Sequence, residues 1–277
     1  MPEPYAEVIG DPIAHSLSPV IHRHWLRQLG LPGDYRATRC TPAKLPEYLA
    51  SRRADPAWRG CNLTMPLKEQ AAGLVDELDQ AAQASGAVNC IVRVEGKLIG
   101  RNTDVNGVAA VMGDLHLEGC KAVVIGGGGV ARAALIALRR RGAALHLLVR
   151  APQRATALEA LAPGLAVGPF ESAAKVTADA ALLINATPLG MAGNPGMPQA
   201  ILDSLATAPD ALAFDMVYRP IETPFLQAAA EAGLQTVDGF AMLIAQARPA
   251  FRSFFGAEPP PGDADLRAAL IAQLRAG

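Results

Sequence analysis

Lysine is scarce in this chain. Of its 25 basic residues 20 are arginine and only 5 are lysine, and they stand against 26 acids for a formal net charge of -1. No basic stretch is long enough to form a phosphate-binding stripe, which argues against a nucleic-acid partner. The one arginine cluster, Arg139-Arg140-Arg141, reads as a charged helix end facing the C-terminal dipole. Cysteine is equally sparse: Cys40, Cys61, Cys90 and Cys120 stand far apart without a C-x-x-C pair. That spacing suggests neither a zinc site nor a redox motif, so no metal is expected, and it fits a reduced, cytoplasmic protein. Long apolar runs are missing too, since glycine or arginine cuts each one well before the roughly 18 residues of a membrane helix. The opening Met1-Pro-Glu-Pro-Tyr5 lacks the charged-then-apolar layout of a signal peptide. No membrane partner follows, and no internal repeat is visible.

What is present is enough for a packed core. The 277 residues are 51% hydrophobic and 18% charged, which a prior of about 150 residues per domain divides into roughly two domains. Short apolar runs at Tyr5-Ile9, Tyr35-Cys40, Gly60-Leu63 and Val88-Val94 predict strands, and periodic segments at Pro19-Leu29, Leu45-Ser51 and Leu67-Val75 predict helices. This β-α-β-α rhythm implies a parallel or mixed sheet covered by helices. A second such series opens at Lys121: strand Ala122-Ile125, four glycines, an Ala/Leu-rich helix to about Arg141, and strand Leu145-Val149. Further strands are expected at Ala181-Ile184, Ala211-Asp215 and Leu234-Val237, with a helix at Pro224-Ala232. The last helical segments, Phe240-Phe255 and Leu266-Arg275, have no strand after them. They are expected to pack back on the first domain, which makes the glycine-rich series an insertion. Phe251, Phe254 and Phe255 read as core, His22 and His24 as helix-surface residues, and His15 as a structural loop histidine, with a substrate contact as its alternative.

Gly126-Gly127-Gly128-Gly129-Val130-Ala131 satisfies G-x-G-x-x-A between a strand and a helix, the context a dinucleotide fingerprint requires. Glycine lets the backbone approach a pyrophosphate, and the helix start offers unpaired N-H groups and a positive dipole end. A glycine-rich turn with no ligand is the blander reading. The next strand ends at Val149-Arg150, with Arg154 shortly after and no acid. An acid there would bond the ribose 2′-OH of NAD, whereas two arginine forks suit the 2′-phosphate of NADP. NADP is therefore favoured, with NAD kept as the alternative.

Scarcity makes each lysine informative. Lys68, in Cys61-Asn-Leu-Thr-Met-Pro-Leu-Lys-Glu69, stands where a strand meets a helix and can donate a proton to a substrate oxygen; the plain alternative is a solvated lysine on a first helical turn. Arg101-Asn102-Thr103-Asp104 precedes another helix and by itself reads as an N-cap, with Asp104 or Thr103 satisfying the free N-H groups. Asn89, inside the apolar Ala87-Val92, requires a hydrogen-bond partner.

Taken together, the chain resembles the shikimate dehydrogenase family over nearly its whole length. The motifs that carry the resemblance are Gly10-Asp-Pro-Ile-Ala-His-Ser-Leu-Ser-Pro19, Asn62-Leu-Thr-Met-Pro-Leu-Lys68, Gly86-Ala-Val-Asn89, Asn102-Thr-Asp104, Asn185-Ala-Thr-Pro-Leu-Gly-Met191, and Asp238-Gly239 followed by Gln246. The resemblance implies an α/β fold of two domains, with the active site in the cleft between them. One is a substrate domain with a mostly parallel sheet, residues 1–104 and 240–277, and the other a Rossmann-type NADP-binding domain, residues 105–239. It implies NADP-dependent reversible reduction of 3-dehydroshikimate to shikimate, a step of aromatic amino-acid precursor biosynthesis, in a monomer or homodimer. Lys68 and Asp104 become the catalytic pair, Ser16 and Ser18 the hydroxyls that hold the substrate carboxylate with Tyr218, and Asn62, Thr64, Asn89 and Gln246 the contacts to ring hydroxyls. Gly126 to Ala131, Arg150, Arg154, Thr187, Met216 and Gly239 become cofactor contacts. Which member of the Lys68-Asp104 pair moves the proton stays open.

Several positions leave the family pattern. Asp104 is followed by Val105-Asn106-Gly107 rather than directly by glycine, Asp238-Gly-Phe-Ala-Met242 carries Phe240 and Ala241 in place of Leu and Gly, and Val149-Arg150-Ala151 keeps the arginine but loses two polar neighbours. These leave room for quinate or a related cyclic hydroxy acid as substrate, since one or two pocket contacts decide such a choice. A non-catalytic metabolite sensor is the third reading, and retention of Lys68, Asp104 and both serines argues against it.

Overall fold

The computed structural model describes residues 2–276. The chain divides into two compact units, residues 1–107 with 244–277, and residues 108–243. Among the described residues no helix is long and apolar enough to cross a membrane.

The first unit is built on one sheet. Its strands are β1 (Tyr5–Gly10), β2 (Asp34–Arg39), β3 (Trp58–Leu63), β4 (Glu77–Leu78), β5 (Cys90–Val94) and β6 (Lys97–Arg101), in the order β2-β1-β3-β5-β6-β4. β1 pairs in parallel with β2 and β3, and β4 with β6, while β3-β5 and β5-β6 are antiparallel. The sheet is thus mixed and mostly parallel. All six residues of β1 are buried, as expected of a strand covered on both faces. Tyr5, Ile9, Trp58, Cys61, Leu63 and Ile91 pack with Leu45 and Leu49 on one face, and Ala6, Val8, Tyr35, Cys90 and Val92 with Ala250 and Phe254 on the other. Glu7 is the charged exception in β1. Its carboxylate accepts from Thr38 Oγ1 at 2.6 Å, Tyr48 OH at 2.5 Å and Arg52 Nε at 2.8 Å, so the buried charge is paired and hydrogen-bonded, as burial demands.

Several elements differ from the sequence expectation. The run read as one strand to Val94 returns as β6 through Glu95 (φ 49°) and Gly96 (φ 81°), two left-handed residues of the kind a tight hairpin turn needs. The helix expected over Leu67-Val75 closes after Lys68–Ala71, because Ala72 and Gly73 bond back only three residues, to Glu69 and Gln70, and so tighten the final turn. His22 is not a surface residue. It is fully buried, its ring lies 3.9 Å from that of Tyr35 at 3° between planes, and Trp25, Phe251 and Phe254 surround it. Helix Ser18–Leu29 turns that side chain toward the sheet together with Ile21 and Trp25.

In the second unit the strands β7 (Lys121–Ile125), β8 (Ala144–Val149), β9 (Ala166–Pro169), β10 (Leu182–Asn185), β11 (Leu212–Asp215) and β12 (Gln235–Val237) run in the order β12-β11-β10-β7-β8-β9. Every pairing among them is parallel. Read from β9, this is the 3-2-1-4-5-6 order of a doubly wound dinucleotide fold. The chain reverses its direction of travel between β7 and β10, where Ile125 pairs with Asn185, and ligands bind at the carboxyl ends of strands at such a switch point. The Arg139-Arg141 cluster is more than a charged helix end. Helix Gly129–Arg139 stops there, Arg139 donates to the Leu161 carbonyl, and Arg141 donates to the Gly113 carbonyl at 2.6 Å.

Thr223 ties β11 to the helix Pro224–Glu231. Its hydroxyl donates to Asp215 Oδ2 at 2.6 Å and accepts from the Leu226 N-H at 3.2 Å as the N-cap. Thr223→Val keeps the shape and removes both bonds, so a loss of about 1–3 kcal/mol is expected. Urea unfolding at pH 7 checks this, and an unchanged midpoint would mean the cap contributes nothing.

Candidate functional site

In the first unit, strand ends and helix starts bring a set of polar side chains together. Lys68 is the first residue of its short helix and Asp104 the second of helix Thr103–Met112. Lys68 Nζ donates to Asp104 Oδ2 at 2.7 Å, with the two side chains 14% and 7% exposed. A pair that sheltered is not a solvated surface lysine. The other carboxylate oxygen, Oδ1, accepts from Asn89 Nδ2 at 2.8 Å. Asn89 also donates to Thr103 Oγ1 at 3.0 Å and accepts from the Thr103 N-H at 2.7 Å, which supplies the partners its buried position requires. The helix is capped by Asn102, not by Asp104 or Thr103: Asn102 Oδ1 accepts from the Asp104 N-H at 3.1 Å. Its own amide is held by Ser85 Oγ and the Ala87 carbonyl, both at 2.9 Å. The cap thus frees the Asp104 carboxylate for Lys68.

Asn62 and Gln246 connect to this network, while Thr64, Ser16 and Ser18 stand in the segments that follow β3 and β1. Asn62, at the end of β3, donates to the Asn89 carbonyl at 3.1 Å, and Gln246 Oε1 lies 3.5 Å from Thr103 Oγ1. Thr64 packs against Gly10: a Cβ on Gly10 would stand 2.4 Å from Thr64 Cγ2, so glycine is what lets the Gly10-Ser18 loop lie along this strand end. In that loop Ser16 Oγ accepts from the Ser18 N-H at 3.4 Å. Ser16 and Ser18 stand at the start of a 12-residue helix whose cap position, Leu17, has no side-chain acceptor. Two hydroxyls at an uncapped helix start suit a carboxylate. His15 is exposed in the same loop, and Val105 is buried in the core.

The second unit holds the glycine turn. Gly126 has φ 110°, and a Cβ there would fall 2.5 Å from Thr187 Cγ2 and 3.0 Å from the Ala186 carbonyl, so the end of β7 and the loop after β10 approach as only glycine permits. Gly128 caps helix Gly129–Arg139 without a side-chain bond and has open space around it, while Gly127, Val130 and Ala131 continue the turn into the helix. Those features fit a pyrophosphate. Arg150 and Arg154 are both exposed and, among the described residues, neither is ion-paired, which leaves two guanidinium groups for a 2′-phosphate.

Thr187 is held by Asn185, whose Oδ1 accepts from the Thr187 N-H at 3.0 Å and its hydroxyl at 2.7 Å. Asn185 in turn donates to Asp215 Oδ1 at 2.9 Å, which also receives the Val217 N-H at 2.9 Å. Burial pushes Asp215 up to about 6, against the downward pull of hydrogen bonds from Thr223, Val217 and Asn185. This carboxylate, missed in the sequence as an ordinary strand end, organises both the Thr187 loop and the Met216-Val217-Tyr218 segment. Gly239 lies against that segment, since a Cβ there would meet the Val217 carbonyl at 2.4 Å. The Tyr218 ring stacks on Phe240, and burial raises its hydroxyl pKa. Ala241, half-buried, donates its N-H to the Asp238 carbonyl. Among the described residues no group of three His, Cys, Asp or Glu side chains is placed to hold a metal ion.

A family model described as the shikimate dehydrogenase substrate binding domain matches residues 8–91. The shikimate dehydrogenase (NADP(+)) of Sphingopyxis alaskensis is 47% identical over 272 residues, covering 97% of each chain. The solved shikimate 5-dehydrogenase of Thermus thermophilus, in complex with NADP(H) and shikimate, is 37% identical with a TM-score of 0.82 and covers 99% of both chains. A quinate dehydrogenase from Corynebacterium glutamicum, in complex with NAD, is 30% identical with a TM-score of 0.86, covering 98% of this chain and 99% of that one. Backbone shape is therefore shared by relatives of both names. With the glycine turn, the Lys68-Asp104 pair and a near full-length match at 47% identity in hand, the chain belongs to the shikimate dehydrogenase family.

Proposed function

We propose that this protein is an NADP-dependent shikimate dehydrogenase that reversibly reduces 3-dehydroshikimate to shikimate, with small molecules as its partners. The observation that carries the reading is the sheltered Lys68-Asp104 ion pair at 2.7 Å. When bound, the nicotinamide supplies or takes the hydride. The chain's own task is the proton, because a reduced carbonyl becomes an alkoxide that must be protonated. Both oxygens of Asp104 are already receiving donors, from Asn89 and from Lys68, so the carboxylate acts as an acceptor that keeps the ammonium in place. This supports Lys68 as the group that gives the proton in reduction and takes it in oxidation. Ser16 and Ser18, with Tyr218, are assigned to the substrate carboxylate, and Asn62, Thr64, Asn89 and Gln246 to the ring hydroxyls; Asn89 also anchors Asp104.

The glycine turn from Gly126 to Ala131 is assigned to the pyrophosphate, Arg150 and Arg154 to the 2′-phosphate, and Thr187, Met216 and Gly239 to the nicotinamide side. Arg150→Ala is expected to raise the KM for NADP at least about tenfold, the scale of one charge-assisted hydrogen bond, while the KM for NAD stays nearly unchanged. An equal loss for both cofactors would mean that Arg150 does not hold the phosphate. The four cysteines are unpaired thiols, three of them buried, which supports a cytoplasmic location.

Initial rates with shikimate and quinate, each paired with NADP and NAD, test the whole reading. Fast turnover confined to shikimate with NADP is the expected outcome. Preference for quinate or for NAD would instead make Phe240, Ala241 and the Val149-Ala151 segment the positions that redefine the enzyme, and silence with all four pairs would overturn the assignment.

A further inference from the structure

Tyr35 lies within β2 and is fully buried. Its hydroxyl donates to Asn62 Oδ1 at 2.7 Å, while its ring stacks on His22. Burial pushes the phenol well above its ordinary range, so the hydroxyl keeps its proton and remains a donor at any working pH. Asn62 gives one Nδ2 hydrogen to the Asn89 carbonyl at 3.1 Å, and the Asn89 side chain holds Asp104. A chain of hydrogen bonds therefore runs from the core of the unit, through Tyr35 and Asn62, to the residue that anchors the ion pair. An amide can turn either its oxygen or its nitrogen outward. Here the Asn89 carbonyl accepts only an N-H and Tyr35 occupies the oxygen, so a flipped amide would set one oxygen against another. One Nδ2 hydrogen is left without a partner among the described residues.

We propose that Tyr35 is a positioning residue for substrate recognition: its hydroxyl holds the Asn62 amide so that Asn62 meets a ring oxygen of the substrate as a hydrogen-bond donor. The inference rests on the shikimate dehydrogenase reading and deepens it. It makes this part of the site select for an acceptor oxygen on the ring, and it places the selecting element one residue behind the side chain that touches substrate. Tyr35→Phe preserves the stack on His22 and deletes only the hydroxyl.

The test is a double-mutant cycle of Tyr35→Phe and Asn62→Ala, read as KM for shikimate, KM for NADP, and kcat. Tyr35→Phe is expected to raise the KM for shikimate roughly tenfold, the worth of one lost and partly orphaned hydrogen bond, with kcat and the KM for NADP nearly unchanged. In the Asn62→Ala background the same substitution should add little, because the group it positions is gone. A merely structural role would raise KM equally in both backgrounds, and that result, or an unchanged KM in the single variant, overturns the proposal. Should Tyr35→Phe fail to fold, Asn62→Asp carries the test: it keeps an acceptor for the Tyr35 hydroxyl but has no hydrogen to give and sets an oxygen against the Asn89 carbonyl, so its KM should be at least that of Asn62→Ala, and a wild-type KM would overturn the proposal. The wild-type rate in the same assay reports separately on the proposed activity. If quinate is the acid turned over, the cycle is read with quinate; no turnover of either acid overturns both readings.

Discussion

Lys68→Ala is expected to lower turnover of shikimate by at least about a hundredfold, the ordinary scale for losing a general acid-base group. The variant leaves the Asp104 carboxylate with one donor, Asn89, and no cation, so the site loses its proton source and the charge that Asp104 faces. Lys68→Arg separates these two losses. Arginine can restore the ion pair, but it does not give up its proton in a protein, so turnover should stay far below wild type while the fold and substrate binding are largely retained. NADP affinity, read by nucleotide fluorescence titration, should be nearly the same in all three proteins, because the glycine turn and Arg150 belong to residues 108–243 and Lys68 to the other unit. Normal turnover in Lys68→Ala would remove the proton-transfer assignment, and with it the main support for the proposed function.

Acid should weaken this protein through His22, a core residue that takes no part in the proposed proton transfer. The imidazole is fully buried, neither of its nitrogens has a partner among the described residues, and desolvation pushes its pKa down from 6.5 to about 3. The folded state therefore stays neutral while the unfolded chain takes up a proton near its ordinary pKa. Between about pH 6.5 and 3 the unfolded state binds more protons, so stability falls as pH falls. The slope approaches 1.36 kcal/mol per pH unit and the total is on the order of a few kcal/mol. At pH 7 and above this contribution is complete. His22→Phe keeps an aromatic ring against Tyr35 and Phe251 and removes the proton, so it should unfold less readily than wild type as the solution is acidified. Urea unfolding of both proteins at pH 7.5, 6.0 and 4.5 reads the difference. Its absolute size depends on how well phenylalanine packs, but its change with pH does not, and parallel pH profiles would refute the account.

Local chemistry explains what could be read from the chain. Gly126 follows an apolar strand and precedes an Ala/Leu-rich helix, and that order alone announces the dinucleotide turn, because turn residues and periodicity act over a few positions. Asn89 in an apolar run likewise announces a buried amide in need of a partner. The two-residue strand β4 has no room to display a period, β9 carries Gly168 and Pro169, residue types depleted in strands, and β6 was hidden because its Glu95-Gly96 turn does not carry the usual Asn-Gly signal. Asn102 as the helix cap was equally hidden, since three neighbouring residues could each accept from the same N-H groups.

By itself, then, the sequence determined the alternation of strands and helices, the glycine turn, the arginine in place of an acid after β8, and the residue types of the catalytic pair. Only the tertiary structure decided which side chains meet. Lys68 and Asp104 are 36 residues apart, Tyr35 and Asn62 27 apart, and Asn185 and Asp215 30 apart. His22 reads as polar in its own helix and becomes core only because Tyr35 and the Phe251-Phe254 turn close over it. The reason is physical: propensity and patterning are properties of neighbours along the chain, whereas the partner of a buried polar group is set by strand order and register, which bring distant segments within hydrogen-bond reach.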